Sequence, residues 1–501
     1  MTAASESRRQ TGARFLMIWI VPILLLGAVS FAAPILNDGD TFWHIGAGRW
    51  IIAHAVVPAS DPFSFTFAGR PWVAHEWLTE VVMAAAYLAR GWAGVMLLTG
   101  LAVSATALLM GAWLLRWVSM LTAVTTVAVS LACLSPGILA RPHLMVMPLV
   151  AFWTIELLKA REAQAAPPLW LALLMVVWAN AHSSFIVGFG LAAAFGLEML
   201  LNPRSWTRRS LIGWALFLDA ALVAMLVTPH GFDGIVFPLK VLNMRTLPFI
   251  TEWQSPDFMK LSPLELALLG GVFFAFWRGV RMSAIRVLIL LGLVHMSLQH
   301  VRQEALLGVI APLILAEPLG RALGSREPLH IAWRVPREQT LLGGGLLIAI
   351  LAARLFAPYT RVDGPTAPIA ALAHVPAALR SQPVLNAYDF GGYLIFAGVK
   401  PYIDGRADMY GDAFVSSDNL IENGNPTAIT VAVSQYRIRW SILPPNLPLT
   451  GALDRTPGWK RIYADPYAVV QVNTNPVAGT PGAAVPKPAA PTANAPSSAH
   501  G

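Results

Sequence analysis

Long apolar runs separated by short polar stretches set the first pattern of this chain. A helix that crosses a bilayer needs about 20 apolar residues. Runs of that kind, some of them shorter, predict about eleven helices. They lie at 14–36, 92–115, 118–140, 143–159, 168–181, 184–201, 210–228, 261–277, 284–299, 303–320 and 339–357. The fifth and sixth are short and are divided only by "NAHSS". The interval 37–91 is long and polar at its start, and within it "HEWLTEVVMAAAYLARG" puts His75, Glu76, Thr79 and Glu80 at one end of a helix and nearly on one face. That pattern predicts a helix lying along the membrane interface, polar end inward. A slightly amphipathic crossing helix is the alternative, and it would shift every later crossing by one.

After residue 358 the periodicity changes. "PVLNAYDFGGYLIFAGVKPYIDGRADMYG" predicts strand, Gly turn, short helix, strand and a Gly-Arg turn. "ITVAVSQYRIRWSILPP" predicts helix then strand, and "WKRIYADPYAVVQVN" a terminal hairpin. Residues 359–475 therefore predict a small α/β domain, and the Pro/Ala-rich 476–501 a disordered tail. The expected class is an α-helical polytopic membrane protein with a C-terminal α/β domain. Its parts are a cytoplasmic N-terminus at 1–13, a transmembrane region at 14–358 with its first outer loop at 37–91, and the domain at 359–475.

Composition agrees with the membrane reading. Of 501 residues, 56% are hydrophobic and 12% charged, against about 25% charged in soluble domains. The net charge of +8 does not point to nucleic acid, because most Lys and Arg lie at the ends of apolar runs. Arg8, Arg9, Arg14, Arg116, Lys159, Arg161, Arg204, Arg208, Arg209, Arg278, Arg281, Arg286, Arg321, Arg326, Arg334 and Arg337 fall in one alternating set of loops. By the positive-inside rule that set is cytoplasmic. Eleven crossings then leave the C-terminal third on the opposite, periplasmic side of a bacterial inner membrane. The single cysteine, Cys133, lies in an apolar run, which excludes a disulfide framework and a cysteine metal site.

The opposite loops collect the Asp, His and outward Arg residues. "LNDGDTFWHIGAG" carries Asp38 and Asp40, with His44 one helical turn beyond Asp40. Asp40 has two readings, an N-cap or a functional carboxylate. Asp38 is not explained by that cap. Arg49 and His54 read as interfacial snorkelling residues. His75, Glu76, Arg141, His143, His182, His230, Glu252, His300 and Arg302 lie on the other loops and helix ends of that face. Arginine forks at helix ends suit a phosphate or pyrophosphate. Asp404 and Arg406, in "IDGR", are expected at the carboxyl end of a strand, where α/β sheets place ligands, and a plain turn explains them equally well. Asp219 lies mid-helix and stays outside the candidate site, with pairing to a neighbouring helix as its simplest reading.

One N-terminal helix followed by a long outer loop opening on D-x-D-T-F-W-H resembles the GT-C superfamily of integral membrane glycosyltransferases. "YDFGGYLIF" through "IDGR" is distantly similar to the segment that opens the soluble domain of oligosaccharyltransferase catalytic subunits. Protein O-mannosyltransferase-like proteins share the layout. Where the oligosaccharyltransferase motif reads W-W-D, this chain has Ala387, Tyr388 and Asp389, so peptide-sequon recognition does not carry over. The resemblance implies transfer of a sugar, with inversion, from a polyprenyl-phosphate carrier to a glycan, lipid or protein acceptor. It implies Asp40 as general base, with Asp38 as alternative or partner. His44, His75 and Glu76 would position the acceptor, and Arg141, Arg302 and Arg406 would hold the phosphate. A divalent metal (Mg or Mn) on Asp38, Asp40 and Glu252 is the lesser alternative to a metal-free site. Two other classes compete. A non-catalytic scaffold or glycan-binding component would keep the fold and tolerate loss of both aspartates. A transporter would need midplane charges and repeated halves, and no internal repeat is present.

Overall fold

The computed structural model describes residues 15–203, 206–325 and 336–475. The N-terminal 1–14 and the tail 476–501 lie outside the described residues, and with them the cytoplasmic N-terminus and the disordered tail expected there. A helix occupies each of the eleven predicted apolar runs. Among the described residues, five helices are long and apolar enough to cross a membrane: Trp77–Leu114, Met120–Gly137, Pro142–Glu162, Val301–Ala322 and Arg337–Phe356. Leu16–Ser30, Leu169–Ala181, Phe185–Leu200 and Ala284–Gln299 are shorter apolar helices. Arg208–Met225 and Pro263–Arg278 complete the set. Asp219 is exposed on the first of these and makes no ion pair among the described residues.

Two boundaries have clear causes. The first run ends as α-helix at Ser30 and becomes a 3-10 turn at Ala33–Leu36, because Pro34 has no N–H to continue the ladder. The predicted interfacial helix and the crossing helix after it form one element, Trp77–Leu114, broken at Arg90 and Gly91. Gly91 has φ of +60°, which glycine adopts without a Cβ penalty.

One end of the bundle is tied by an ion network. Arg161 and Arg286 both reach Glu198, at 3.0 Å each, and Arg286 also reaches Glu317, at 3.2 Å. Arg321 pairs with Glu317, and Arg116 with Glu162. These are basic residues expected on a single side of the membrane, gathered where five helices end or start.

The C-terminal sheet caps the other end. Strands β1 (Val384–Asn386), β2 (Trp440–Leu443), β3 (Trp459–Ala464) and β4 (Val469–Asn473) form one sheet in the order β1-β2-β4-β3. β1 and β2 are parallel, and the other pairs antiparallel, including the predicted hairpin β3–β4. The strand expected before "IDGR" is not formed. Residues 399–406 run as a loop between helices Tyr388–Phe396 and Ala407–Glu422.

Glycines set how closely the sheet region meets the first polar loop. Helix Tyr388–Phe396 lies against helix Asp40–His54. A Cβ on Gly392 would stand 2.1 Å from the Gly39 carbonyl, and one on Gly39 would stand 2.6 Å from that of Asp389. Beside this contact, Phe42 packs edge-on to Trp92, Tyr393 and Phe396 at 5.2–5.5 Å. The loop after helix Asp40–His54 is bonded to the same region: Thr66 Oγ1 donates to the Tyr402 carbonyl, 2.6 Å.

Candidate active site

Asp38, Asp40, Glu252 and two arginines converge at this junction. Pro142 keeps the preceding residue extended, and Arg141 (φ −128°) accordingly stands outside the helical turn Pro142–Met145. Its guanidinium donates to both oxygens of Asp38, at 2.6 Å each. The same side chain lies 2.6 Å from Asp40 Oδ2 and donates to Glu252. Glu252 in turn accepts from Arg302 Nη1, 2.9 Å, and the Arg302 plane sits 4.5 Å from the centroid of Trp253. His300 positions these last residues by donating Nδ1–H to the Trp253 carbonyl, 2.6 Å, while Val301 N–H donates to Gln254.

The capping question has a split answer. Asp38, not Asp40, accepts from the Thr41 N–H and Thr41 Oγ1, so it caps helix Asp40–His54 from two residues before its start. Asp40 is the first helical residue, its carboxylate makes no cap bond, and it shares a face with His44.

A second cluster adjoins through His44. His44 Nδ1 lies 3.3 Å from Glu80 Oε1, and its Nε2 lies 3.9 Å from Glu76 Oε2. Glu76 also takes His75 Nε2 at 3.5 Å and His182 Nε2 at 3.4 Å. Ser184 N–H donates to His182 Nδ1, which leaves the His182 proton on Nε2, facing Glu76. His143 donates to the Gly137 carbonyl, 2.9 Å, with its ring 6.3 Å from that of His182. Helix Trp77–Leu114 is held here by Thr79 Oγ1, which donates to the Ala181 carbonyl, and by Trp77 Nε1, which donates to Asn180 Oδ1.

Asp404 and Arg406 differ from their expected role. Both are buried, Arg406 at 1% exposure. Arg406 donates to Asp404 through Nε and Nη2 and to Asp61 Oδ1 through Nη1, at 2.7 Å each. Tyr410 adds its hydroxyl to Asp404, and the guanidinium lies against Trp72 and Phe63. The fork is thereby used inside the protein and offers no phosphate contact. It ties the first loop to the sheet region. "IDGR" still meets the site, through backbone: a Cβ on Gly405 would stand 1.8 Å from Asp40 Oδ1 and 2.9 Å from Trp43 Nε1.

Three contributors escape a reading of local motifs. Asp408 acts on His75 from the first turn of helix Ala407–Glu422. Arg361 acts on Asp38 across space, though in sequence it only follows the last apolar run. Gly405 contributes by lacking a side chain. The "RADM" stretch signals a helix start, and nothing local signals the other two.

The carboxylates sit in distinct electrostatic states. Burial, with Asp38 and Glu252 close by, pushes Asp40 up to about 7 despite the pull of Arg141. Against the cost of burial, Arg141 holds Asp38 below the ordinary carboxylate range, and Arg141 with Arg302 does the same for Glu252. Glu76 is held well below it against burial, chiefly by the charge and hydrogen bond of His75. Burial pushes His182 down to about 3, so its imidazole is neutral at physiological pH. The arrangement supplies one carboxylate that exchanges protons near neutrality, flanked by fixed charges.

The donor set does not fit a divalent cation. Asp38, Asp40 and Glu252 close around the Arg141 guanidinium, and no group of three or more His, Cys, Asp or Glu is arranged to hold a metal among the described residues.

No protein family and no curated relative is matched by the sequence. Solved structures are matched by fold. ArnT from Cupriavidus metallidurans bound to undecaprenyl phosphate is 14% identical, with 96% of this chain and 100% of that one covered and a TM-score of 0.50. The oligosaccharyltransferase AglB from Archaeoglobus fulgidus, in complex with an inhibitory peptide and a dolichol-phosphate, is 9% identical over 86% of this chain and 69% of that one, TM-score 0.50. Arabinofuranosyltransferase AftD from Mycobacteria is 13% identical over 94% and 42%, TM-score 0.50. At such identities the likeness establishes the fold, which is that of the GT-C membrane glycosyltransferases.

Proposed function

We propose that this chain is a membrane glycosyltransferase that moves a sugar from a polyprenyl-phosphate carrier to a hydroxyl of an envelope acceptor, with Asp40 as general base. The observation that carries the reading is the convergence of Asp38, Asp40, Arg141, Glu252 and Arg302 from four distant segments, beside Gly405, within a GT-C fold. Two of the matched proteins have lipid phosphates in their structures, undecaprenyl phosphate in ArnT and dolichol-phosphate in AglB.

The chemistry follows from the charges. Asp40 takes the proton of the acceptor hydroxyl as its oxygen attacks the anomeric carbon. The bond from that carbon to the carrier phosphate breaks, and the phosphate leaves with the electron pair. Arg302 uses one nitrogen on Glu252, so the rest of its fork can meet the charge growing on the phosphate. Asp38 fixes Arg141, and Arg141 fixes the position of Asp40. One base suffices for an inverting displacement, and the reaction needs no covalent intermediate. No step is assigned to a metal.

The reacting face belongs, in this proposal, to the periplasmic side of a bacterial inner membrane. The ion network of Arg116, Arg161, Arg286 and Arg321 at the far end supports that orientation under the positive-inside rule. The test is replacement of Asp40, and separately Asp38, by Asn in the native host, with assay of envelope glycans and their lipid-linked sugar precursors. Accumulated precursor with depleted glycan is expected. Normal levels of both would end the glycosyltransferase reading in favour of a scaffold.

Gly405 offers a milder test. Gly405→Ala places a methyl against Asp40 Oδ1, and misplacing a reacting group by about 1 Å costs on the order of 100-fold in rate. Turnover should fall to that extent while the protein still purifies as a monodisperse species. An unchanged rate would mean that Asp40 does not act where it stands.

A further inference from the structure

Two ionisable side chains inside apolar helices belong to neither cluster. Asp219, on helix Arg208–Met225, lies exposed along one helical face with Ile212, Leu216, Val223 and Leu226. His295, on helix Ala284–Gln299, lies exposed along one face with Leu288, Leu291 and Leu298. Among the described residues neither side chain has a hydrogen bond or an ion pair. The hydrocarbon region offers no water to either group. A polar side chain placed there is costly until a partner meets it.

The two helices start level with each other. Arg286 and Ser283, at the start of helix Ala284–Gln299, bond Glu198 near the end of helix Phe185–Leu200. Trp206, just before helix Arg208–Met225, donates to the Leu200 carbonyl at 3.0 Å. Asp219 follows Arg208 by eleven positions and His295 follows Ala284 by eleven, so each stands about 16 Å along its helix. Helix Phe185–Leu200 lies between them. A Cβ on its Gly196 would stand 3.3 Å from both Leu218 and Trp214 of helix Arg208–Met225. Glu198, two residues on and so about 200° round the helix, faces Arg286 instead. The side left between these contacts is exposed at Gly190, Leu197 and Leu200, and Gly190 has open space where a Cβ would be. One face thus carries an acid on one flank and a base on the other, at one depth.

We propose that this face binds a second copy of the chain, with Asp219 of each copy accepting a hydrogen bond from the imidazole of His295 of the other. Two copies inserted the same way are related by a two-fold axis along the membrane normal. Rotation about that axis leaves every residue at its own depth, so only groups of equal depth can pair across it. Asp219 and His295 meet that condition. The same rotation sets helix Arg208–Met225 of one copy against helix Ala284–Gln299 of the other, twice over. The two Phe185–Leu200 helices then approach where Gly190 has no side chain, as close membrane helix pairs do. A different protein would have to supply a partner for each group separately. A second copy carries both already. The pairing goes beyond the transfer reading and does not rest on it.

The test uses the full-length protein in liposomes at rising density, with the dimeric fraction counted by single-molecule photobleaching. Asp219→Leu and His295→Leu should each weaken dimerisation about tenfold or more, because each removes two interhelical hydrogen bonds per dimer. The exchange Asp219→His/His295→Asp should return it close to the unaltered value. A chain that is monomeric at every density would overturn the proposal. So would single variants that dimerise unchanged, or an exchange no better than the singles. A monomeric chain that loses a different membrane protein on Asp219→Leu would also overturn it, by giving the face another occupant. Should a variant not fold, Leu216→Cys and Leu291→Cys chains made in one cell decide the matter. Leu216 of one copy lies across from Leu291 of the other, and the natural Cys133 is buried. A short thiol cross-linker should therefore join copies only when both variants are present. No cross-link, or equal cross-linking in either variant alone, overturns the arrangement.

Discussion

Asp40→Asn should lower kcat by about 10²–10⁴-fold, the range that a positioned general base contributes. The substitution keeps size and polarity beside Arg141 and Gly405, so acceptor and carrier binding should change little and the loss should fall on kcat. The pH profile separates a base from a structural residue. A base must be deprotonated, and Asp40 is pushed up to about 7. The rate of the unaltered enzyme should therefore rise with pH, bend near 7 and level off above it. In Asp40→Asn that acid limb should disappear. Arg141→Gln removes the cation that lowers Asp40, so any residual activity should bend at higher pH. A rate that falls by less than about threefold in Asp40→Asn, or a pH profile unchanged by it, would remove Asp40 from the chemistry.

Arg406→Met should be the most destabilising substitution proposed here, by about 3–5 kcal/mol, because it leaves Asp61 and Asp404 charged and buried with their shared cation gone. Arg406→Lys should recover only part of the loss, since an ammonium cannot reproduce the two parallel bonds to Asp404 together with the third to Asp61. Reversible unfolding in mixed detergent, followed by tryptophan fluorescence, gives the measurement. Trp72 lies 4.8 Å from the guanidinium and reports on this region. Combining Arg406→Met with Asp61→Asn and Asp404→Asn should restore part of the stability, because the buried charges go together. A single-variant loss below about 1 kcal/mol would show that the bridge relaxes into water without cost.

The sequence was informative where the determinants are local. Apolar runs placed the helices, whereas the break at Arg90 and Gly91 between the interfacial and crossing segments emerged only in the structure. Alternation and turn residues placed β2 and the β3–β4 hairpin. The sorting of Asp38, Asp40, Glu76, Arg141, Glu252 and Arg302 onto one side followed from loop order, and the structure brings these residues together. Their roles depended on contacts that spacing does not encode. Asp38 caps because the turn after Pro34 aims it back at Thr41, a geometry that D-G-D alone leaves open. Arg406 looked available because Asp61, which consumes part of its fork, lies 345 residues earlier. The strand expected before it is missing because "VKPYIDG" passes instead as a loop over the first polar segment, with Phe65 N–H donating to the Pro401 carbonyl. Arg361 was invisible for the same reason: its neighbours Phe42 and Trp92 belong to elements made far earlier.

The glycine contacts at Gly39, Gly392 and Gly405 also bear on how the protein is made. Asp40 is synthesised early, yet the backbone that fixes its carboxylate comes hundreds of residues later. A nascent chain interrupted before the sheet region carries every charged group of the first loop without the wall that holds Asp40 in place. Assembly of the Asp40 cluster therefore waits for the synthesis of Gly405, and a chain made only as far as its last apolar helix holds its first polar loop unassembled.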